Sequence, residues 1–234
     1  MRQSRILNIL YSKIEKKRLL MQNLVTEIKE KKLIAIIRGV RSENVVKTVG
    51  ALLSGGINLV EITFDQTRKI PWEDTAKAIE LASAEHKNAV IGAGTVINLT
   101  QLELAVKAGA KFILAPDVNE EIIRATKAAG LVSVPGAMTP SECSAAMRAG
   151  ADFVKLFPAG NLGSGYLKAI KAPLSDLPFL CVGGINEENI LEFLKVGAAG
   201  FGIGSNLVSA KLAESGDFEE ITRRAKAFVA AARG

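Results

Sequence analysis

A lysine enclosed by large hydrophobes is the first residue that needs a reason. In the run Asp152-Phe153-Val154-Lys155-Leu156-Phe157-Pro158 the ammonium of Lys155 has no polar neighbour before the closing proline. A free lysine titrates near ~10.4 and is almost wholly protonated at neutral pH. Apolar surroundings destabilise the ammonium, and bringing the pKa to about 7–8 takes roughly 3–4 kcal/mol. A charged group kept in such surroundings tilts the reading toward chemistry. Two more charged residues stand in comparable runs: Glu61 in "NLVEITF" (58–64) and Arg38 directly after "LIAII" (33–37). A carboxyl among apolar neighbours is likewise costly to bury. The competing reading is a structural Lys155–Glu61 ion pair, although desolvation cancels much of the attraction in such pairs.

Other chemistries find little support. The single histidine, His86, lies in the polar stretch "SAEHKNA" and reads as a surface residue, which argues against Ser-His-Asp or Cys-His catalysis. Cys143 and Cys181 are far apart and lack partners at metal spacing, so both read as buried small hydrophobes, and no metal site is expected. The net charge of +6 hints at nucleic acid, but Arg2, Arg5, Lys13, Lys16, Lys17 and Arg18 stand against Glu15 alone in the first twenty residues. The remainder is nearly neutral, so no nucleic-acid partner is expected.

The charged residues must be held by regular elements. Short β-rich runs recur at 33–37, 58–63, 88–93, 111–115, 131–134, 152–157, 179–182 and 199–203. Helical segments fall between them, among them Ser42–Ser54, Thr100–Ala108, Glu120–Ala129, Pro140–Ala149, Glu187–Val196 and Phe218–Ala232. Several close on glycine, in "KAGA", "AAGL", "RAGA" and "KVGA", the pattern of a helix C-cap followed at once by a strand. Eight strand–helix units of this length predict a parallel, closed (β/α)8 barrel over 32–234. Residues 1–31 form a basic, amphipathic helical extension. It reads as an appended docking helix, or in part as a mischosen translation start, with a membrane-surface role the less favoured alternative. No apolar run reaches the roughly 18 residues of a membrane span and no leader pattern opens the chain, so the expected location is the cytoplasm.

Side chains of a barrel strand alternate between the interior and the helices. The helix-facing sets must be apolar, so Phe153, Lys155 and Phe157 share the inner side, as do Leu59, Glu61 and Thr63, and Ile34, Ile36 and Arg38. All three charges fall near the C-terminal ends of their strands, where barrel active sites are built. Gly183-Gly184 after the seventh strand and Gly204-Ser205 after the eighth suit a phosphate cradle, since glycine permits close backbone N–H approach. The alternative is two ordinary β-to-α turns.

"IGAGTVIN" (91–98), "VPGAMTPSE" (134–142), "FVKLFPA" (153–159), "VGGINEEN" (182–189) and "GIGSNLV" (202–208), in this order, resemble the class I 2-keto-3-deoxy-6-phosphogluconate/4-hydroxy-2-oxoglutarate (KDPG/KHG) aldolases. "RGV" (38–40) and "GGINLVEITF" (55–64) extend the likeness from about Lys32 to the C-terminus. The resemblance implies a Schiff-base carbon–carbon lyase with no metal or other cofactor, acting on a small 2-keto acid and releasing pyruvate. It makes Lys155 the imine-forming lysine and Glu61 the general acid/base. It sets Phe157 beside the lysine and Thr95 at the pyruvate carboxylate, unless Thr95 is only a turn hydroxyl. Pro116 in "LAPDVN" matches a pocket proline, and a homotrimer is implied. Where many members carry an arginine after the "E-[IV]-T" threonine, this chain has Asp65, leaving Arg38 or Arg68 to hold substrate. Val182 before Gly183-Gly184 is more like the 2-keto-3-deoxy-6-phosphogalactonate branch. The weighed alternatives are a phosphosugar isomerase or epimerase, and a barrel without catalysis.

Overall fold

The computed structural model describes residues 2–233, with side chains from 15 to 233. After α1 (Arg2–Lys31) the chain alternates strands and helices: β1 (Leu33–Ile37), α2 (Ser42–Ser54), β2 (Leu59–Thr63), α3 (Trp72–Glu85), β3 (Val90–Gly94), α4 (Leu99–Lys107). It continues with β4 (Phe112–Leu114), α5 (Glu120–Ala129), β5 (Val132–Val134), β6 (Gly136–Ala137), α6 (Pro140–Arg148) and β7 (Val154–Leu156). Two short helices, α7 (Ala159–Leu162) and α8 (Ser164–Lys171), lead to β8 (Phe179–Val182), α9 (Ile190–Lys195), β9 (Gly200–Ile203), α10 (Ala210–Ser215) and α11 (Phe218–Ala231).

All strands are parallel, in the order β5-β4-β3-β2-β1-β9-β8-β7-β6. The expected fifth strand is longer than 131–134: Pro135, with no N–H to donate, divides one stave into β5 and β6. β5 pairs with β4 and β6 with β7, so nine hydrogen-bonded strands make eight staves and the cylinder closes through this divided one. The (β/α)8 architecture follows. The four glycines after α4, α5, α6 and α9, Gly109, Gly130, Gly150 and Gly197, all adopt positive φ and end their helices as expected.

The alternation along the strands is observed. Ile34, Leu59, Phe112, Phe153 and Leu180 form one apolar cluster inside the barrel, whereas Ala35, Val60, Ile62, Val154 and Leu156 pack outward in the layer shared with the helices. Inside the barrel, the ring of Phe112 fills the volume that a side chain on Gly92 would require. The last turns of α1 cap the strand N-termini: Ile28 is fully buried in the interior cluster, with Met21, Leu24 and Val25 packed beside it. Leu19 and Leu20 are exposed. Cys143 and Cys181 are buried and free, and burial pushes their thiols up to about 11 and about 12. No helix among the described residues is long and apolar enough to cross a membrane.

Candidate active site

β2 and β7 deliver the two central groups to the C-terminal mouth of the barrel. Register sets Glu61 opposite Ile36 on β1 and Gly92 on β3, and Lys155 opposite Gly136 on β6 and Leu180 on β8. Lys155 is 4% exposed and Glu61 0%. Among the described residues neither takes part in an ion pair within 4.0 Å, so the simple structural salt bridge is absent. Lys155 Nζ lies 5.0 Å from the centre of the Phe157 ring. Glu61 Oε1 accepts a hydrogen bond from Thr63 Oγ1 at 3.2 Å, and its buried Oε2 has no partner among the described residues.

Burial pushes the Lys155 amine below the ordinary lysine range; Arg38 adds to the push as a like charge and Glu61 opposes it. Burial raises the Glu61 carboxyl, with Lys155, Arg38 and the Thr63 hydrogen bond acting the other way. Both desolvated groups are therefore drawn toward neutrality. A neutral amine beside a protonatable carboxyl can add to a ketone and shuttle the protons that the addition requires.

Next to this pair, a cavity reached through Phe157 gathers most of the residues expected from sequence, although neither Lys155 nor Glu61 is in its lining. The cavity, of about 430 Å³, is lined by Arg38, Phe157, Gly183, Gly184, Gly204 and Ser205 together with Ile36, Val182, Asn206 and Ser209. Gly183 and Gly184 both adopt positive φ, and a side chain on Gly183 would meet the Phe157 ring at 2.9 Å. Gly160 approaches Gly184 so closely that its N–H donates to the Gly183 carbonyl at 2.7 Å. Thr95 and Pro116 lie outside that lining. Thr95 follows Gly94 on the Glu61 side of the mouth, half-buried with φ +55, and the exposed Pro116 presses its carbonyl against Gly136. A hollow of about 530 Å³ between α2 and α11, lined by Lys47, Ala51 and Thr222 among others, belongs to the outer helical layer and holds none of these groups.

Sequence reasoning passed over Gly94, Asn206 and Ser209. Gly94 had a legible signal, a glycine in strand register beside a buried carboxylate. Asn206, which donates to the Ile185 carbonyl at 2.9 Å and ties the two glycine loops together, had none. Asp65 is no substitute for a substrate-holding arginine: its carboxylate accepts from the N–H groups of Thr67 and Ile70 and its carbonyl from Trp72 Nε1 at 2.9 Å, bracing the β2–α3 loop. Arg68 stacks 4.1 Å over Trp72 and approaches Glu73 at 4.0 Å. Arg38 is the arginine that faces the cavity. Among the described residues no group of three or more His, Cys, Asp and Glu gathers to hold a metal ion.

A parallel eight-stave barrel with a desolvated lysine and glutamate at its C-terminal mouth defines an enzyme of the aldolase type. The profile of the family described as "KDPG and KHG aldolase" matches residues 24–224. The 2-dehydro-3-deoxy-6-phosphogalactonate aldolase of Escherichia coli K12 is 36% identical over 202 residues, 86% of this chain and 94% of the relative. The KHG/KDPG aldolase of the same organism is 34% identical over 192 residues, covering 82% and 87%. The crystal structure of the KDPG aldolase from Legionella pneumophila, with pyruvate captured as a covalent carbinolamine, superimposes with a TM-score of 0.76 at 31% identity, covering 84% of this chain and 93% of that one. The chain belongs to the KDPG/KHG aldolase family and is a carbon–carbon lyase.

Proposed function

We propose that the chain cleaves a 2-keto-3-deoxy-6-phospho sugar acid, 2-keto-3-deoxy-6-phosphogluconate or with it 4-hydroxy-2-oxoglutarate, through an imine on Lys155. The observation that carries this reading is a 4%-exposed amine with a depressed pKa, without an ion pair within 4.0 Å among the described residues, at the open end of the barrel. Lys155 Nζ adds to the C2 ketone and the carbinolamine loses water to give an iminium. Glu61 accepts the C4-hydroxyl proton while the C3–C4 bonding pair moves into the iminium. The aldehyde leaves as glyceraldehyde 3-phosphate, or glyoxylate from hydroxyglutarate. Glu61 returns the proton to C3 of the enamine, and water releases pyruvate and the free amine.

The keto-acid carboxylate sits at Thr95, with Pro116 and Phe157 shaping the pocket around it. Gly183, Gly184, Gly204 and Ser205 receive the phosphate, and Arg38 supplies a positive charge at the same cavity, which supports an anionic substrate end. A second reading is the phosphogalactonate epimer. Val182 in the cavity wall and the likeness to the E. coli phosphogalactonate enzyme favour it. The working protein is a cytoplasmic homotrimer, supported by the family resemblance and open to sedimentation analysis. Pyruvate and borohydride followed by intact mass and peptide mapping test the chemistry: a reduced adduct on Lys155 is expected, and an unmodified Lys155 removes the aldolase reading. A kinetic panel of the two phosphorylated epimers and hydroxyglutarate then ranks the substrates.

A further inference from the structure

One side chain of the β2–α3 loop is tied, directly and through a buried partner, to the neighbouring β3–α4 loop. Gln66 Nε2 donates to the Thr95 carbonyl at 3.0 Å. The Gln66 amide oxygen accepts from Gln101 Nε2 at 3.1 Å, and Gln101 Oε1 accepts from the Ile97 N–H at 2.9 Å. Gln101, on α4, is 0% exposed. A primary amide is costly to bury unless both its ends are bonded, and packing alone at this position would be met by a leucine. The residue gripped by the relay is strained: Thr95 is β-branched yet holds φ +55. It stands one residue beyond Gly94, which abuts the Glu61 carboxylate. The loop that brings Gln66 is itself ordered by Asp65, so the relay runs between two fixed points.

We infer that Gln66 and Gln101 are positioning residues for the aldol reaction, holding the Thr95 turn in the conformation that receives the keto-acid carboxylate. This rests on the assignment of Thr95 to the carboxylate given above. Both amides are uncharged, so they act on carboxylate affinity through Thr95 and leave the titration of Lys155 alone.

Borohydride trapping with pyruvate separates these effects. Gln66 is exposed, and Gln66→Leu is expected to fold but to melt a few degrees lower, because the buried Gln101 Nε2 loses its acceptor. It raises the pyruvate concentration for half-maximal trapping roughly tenfold, with the acid limb of the pH profile unmoved. Gln66→Glu, which keeps the size but cannot donate to the Thr95 carbonyl when ionised, gives the same rise. In a Thr95→Ala background the further effect of Gln66→Leu shrinks below about twofold, because both changes act on one step. Wild-type half-saturation in Gln66→Leu, or its full effect in the Thr95→Ala background, overturns the inference. Absence of trapping in the wild-type protein is a different result and sinks the aldolase reading beneath it.

Discussion

The Glu61 carboxylate occupies the volume that a side chain on Gly94 would need: a Cβ built there overlaps Oε1 and the carboxyl carbon. The two residues come from paired strands, β2 and β3, whose register sets Gly94 beside Thr63, the partner of Oε1. Gly94→Ala must therefore swing the carboxylate or spread the strands. With Glu61 as the proton shuttle, kcat falls about a hundredfold or more, while pyruvate trapping on Lys155 survives at a reduced rate. Steady-state cleavage compared with trapping checks this, and a variant at wild-type kcat would remove Glu61 from the proton steps.

The three charges at the mouth predict two pH shifts of opposite sign. Lys155 attacks only as the free amine, so the acid limb of trapping follows its pKa. Glu61 raises that pKa and Arg38 lowers it. Glu61→Gln removes the stabilising negative charge and moves the acid limb to lower pH. Arg38→Leu removes the like charge and moves it to higher pH. Movement of both limbs in one direction would contradict the arrangement.

Much of this was legible because a barrel strand has a two-residue period. An interior lysine flanked by Phe153 and Phe157, with outward Val154 and Leu156, fixes its own face, and the same holds for Glu61. The helix-ending glycines were equally readable, since only the left-handed conformation explains them in that place. The extent of the fifth stave was not, because a proline inside a strand reads as its end when the partners of the two halves are unknown. The Gln66–Gln101 relay and the Asn206 tie were also hidden. They join loops distant in sequence, and an amide side chain carries no periodic or charge signature.

At the cavity rim, Gly183 combines φ +86 with a Cβ clearance of 2.9 Å to the Phe157 ring. Gly183→Ala strains the backbone and pushes the loop or the ring aside. Charge-assisted hydrogen bonds from such a loop are each worth about 1.5–3 kcal/mol, so loss of one raises KM for a phosphorylated substrate roughly tenfold. Half-saturation for pyruvate trapping changes by less, because pyruvate has no phosphate and meets only the shifted Phe157 ring. An equal loss for both ligands would place these glycines outside a phosphate site.

The N-terminal helix divides within two turns into a part that the barrel needs and a part that it does not. Ile28 is 0% exposed among Ile34, Leu59, Val132 and Phe153 and closes the floor opposite the active mouth. Leu20, two turns earlier, is 60% exposed. Ile28→Ala opens a cavity in an apolar cluster and costs about 2–5 kcal/mol. Leu20→Ala stays within about 0.5 kcal/mol of wild type. Urea denaturation of the three proteins decides it. If the two substitutions cost the same, α1 is not an integral floor of the barrel, and the burial of Ile28 has no energetic weight.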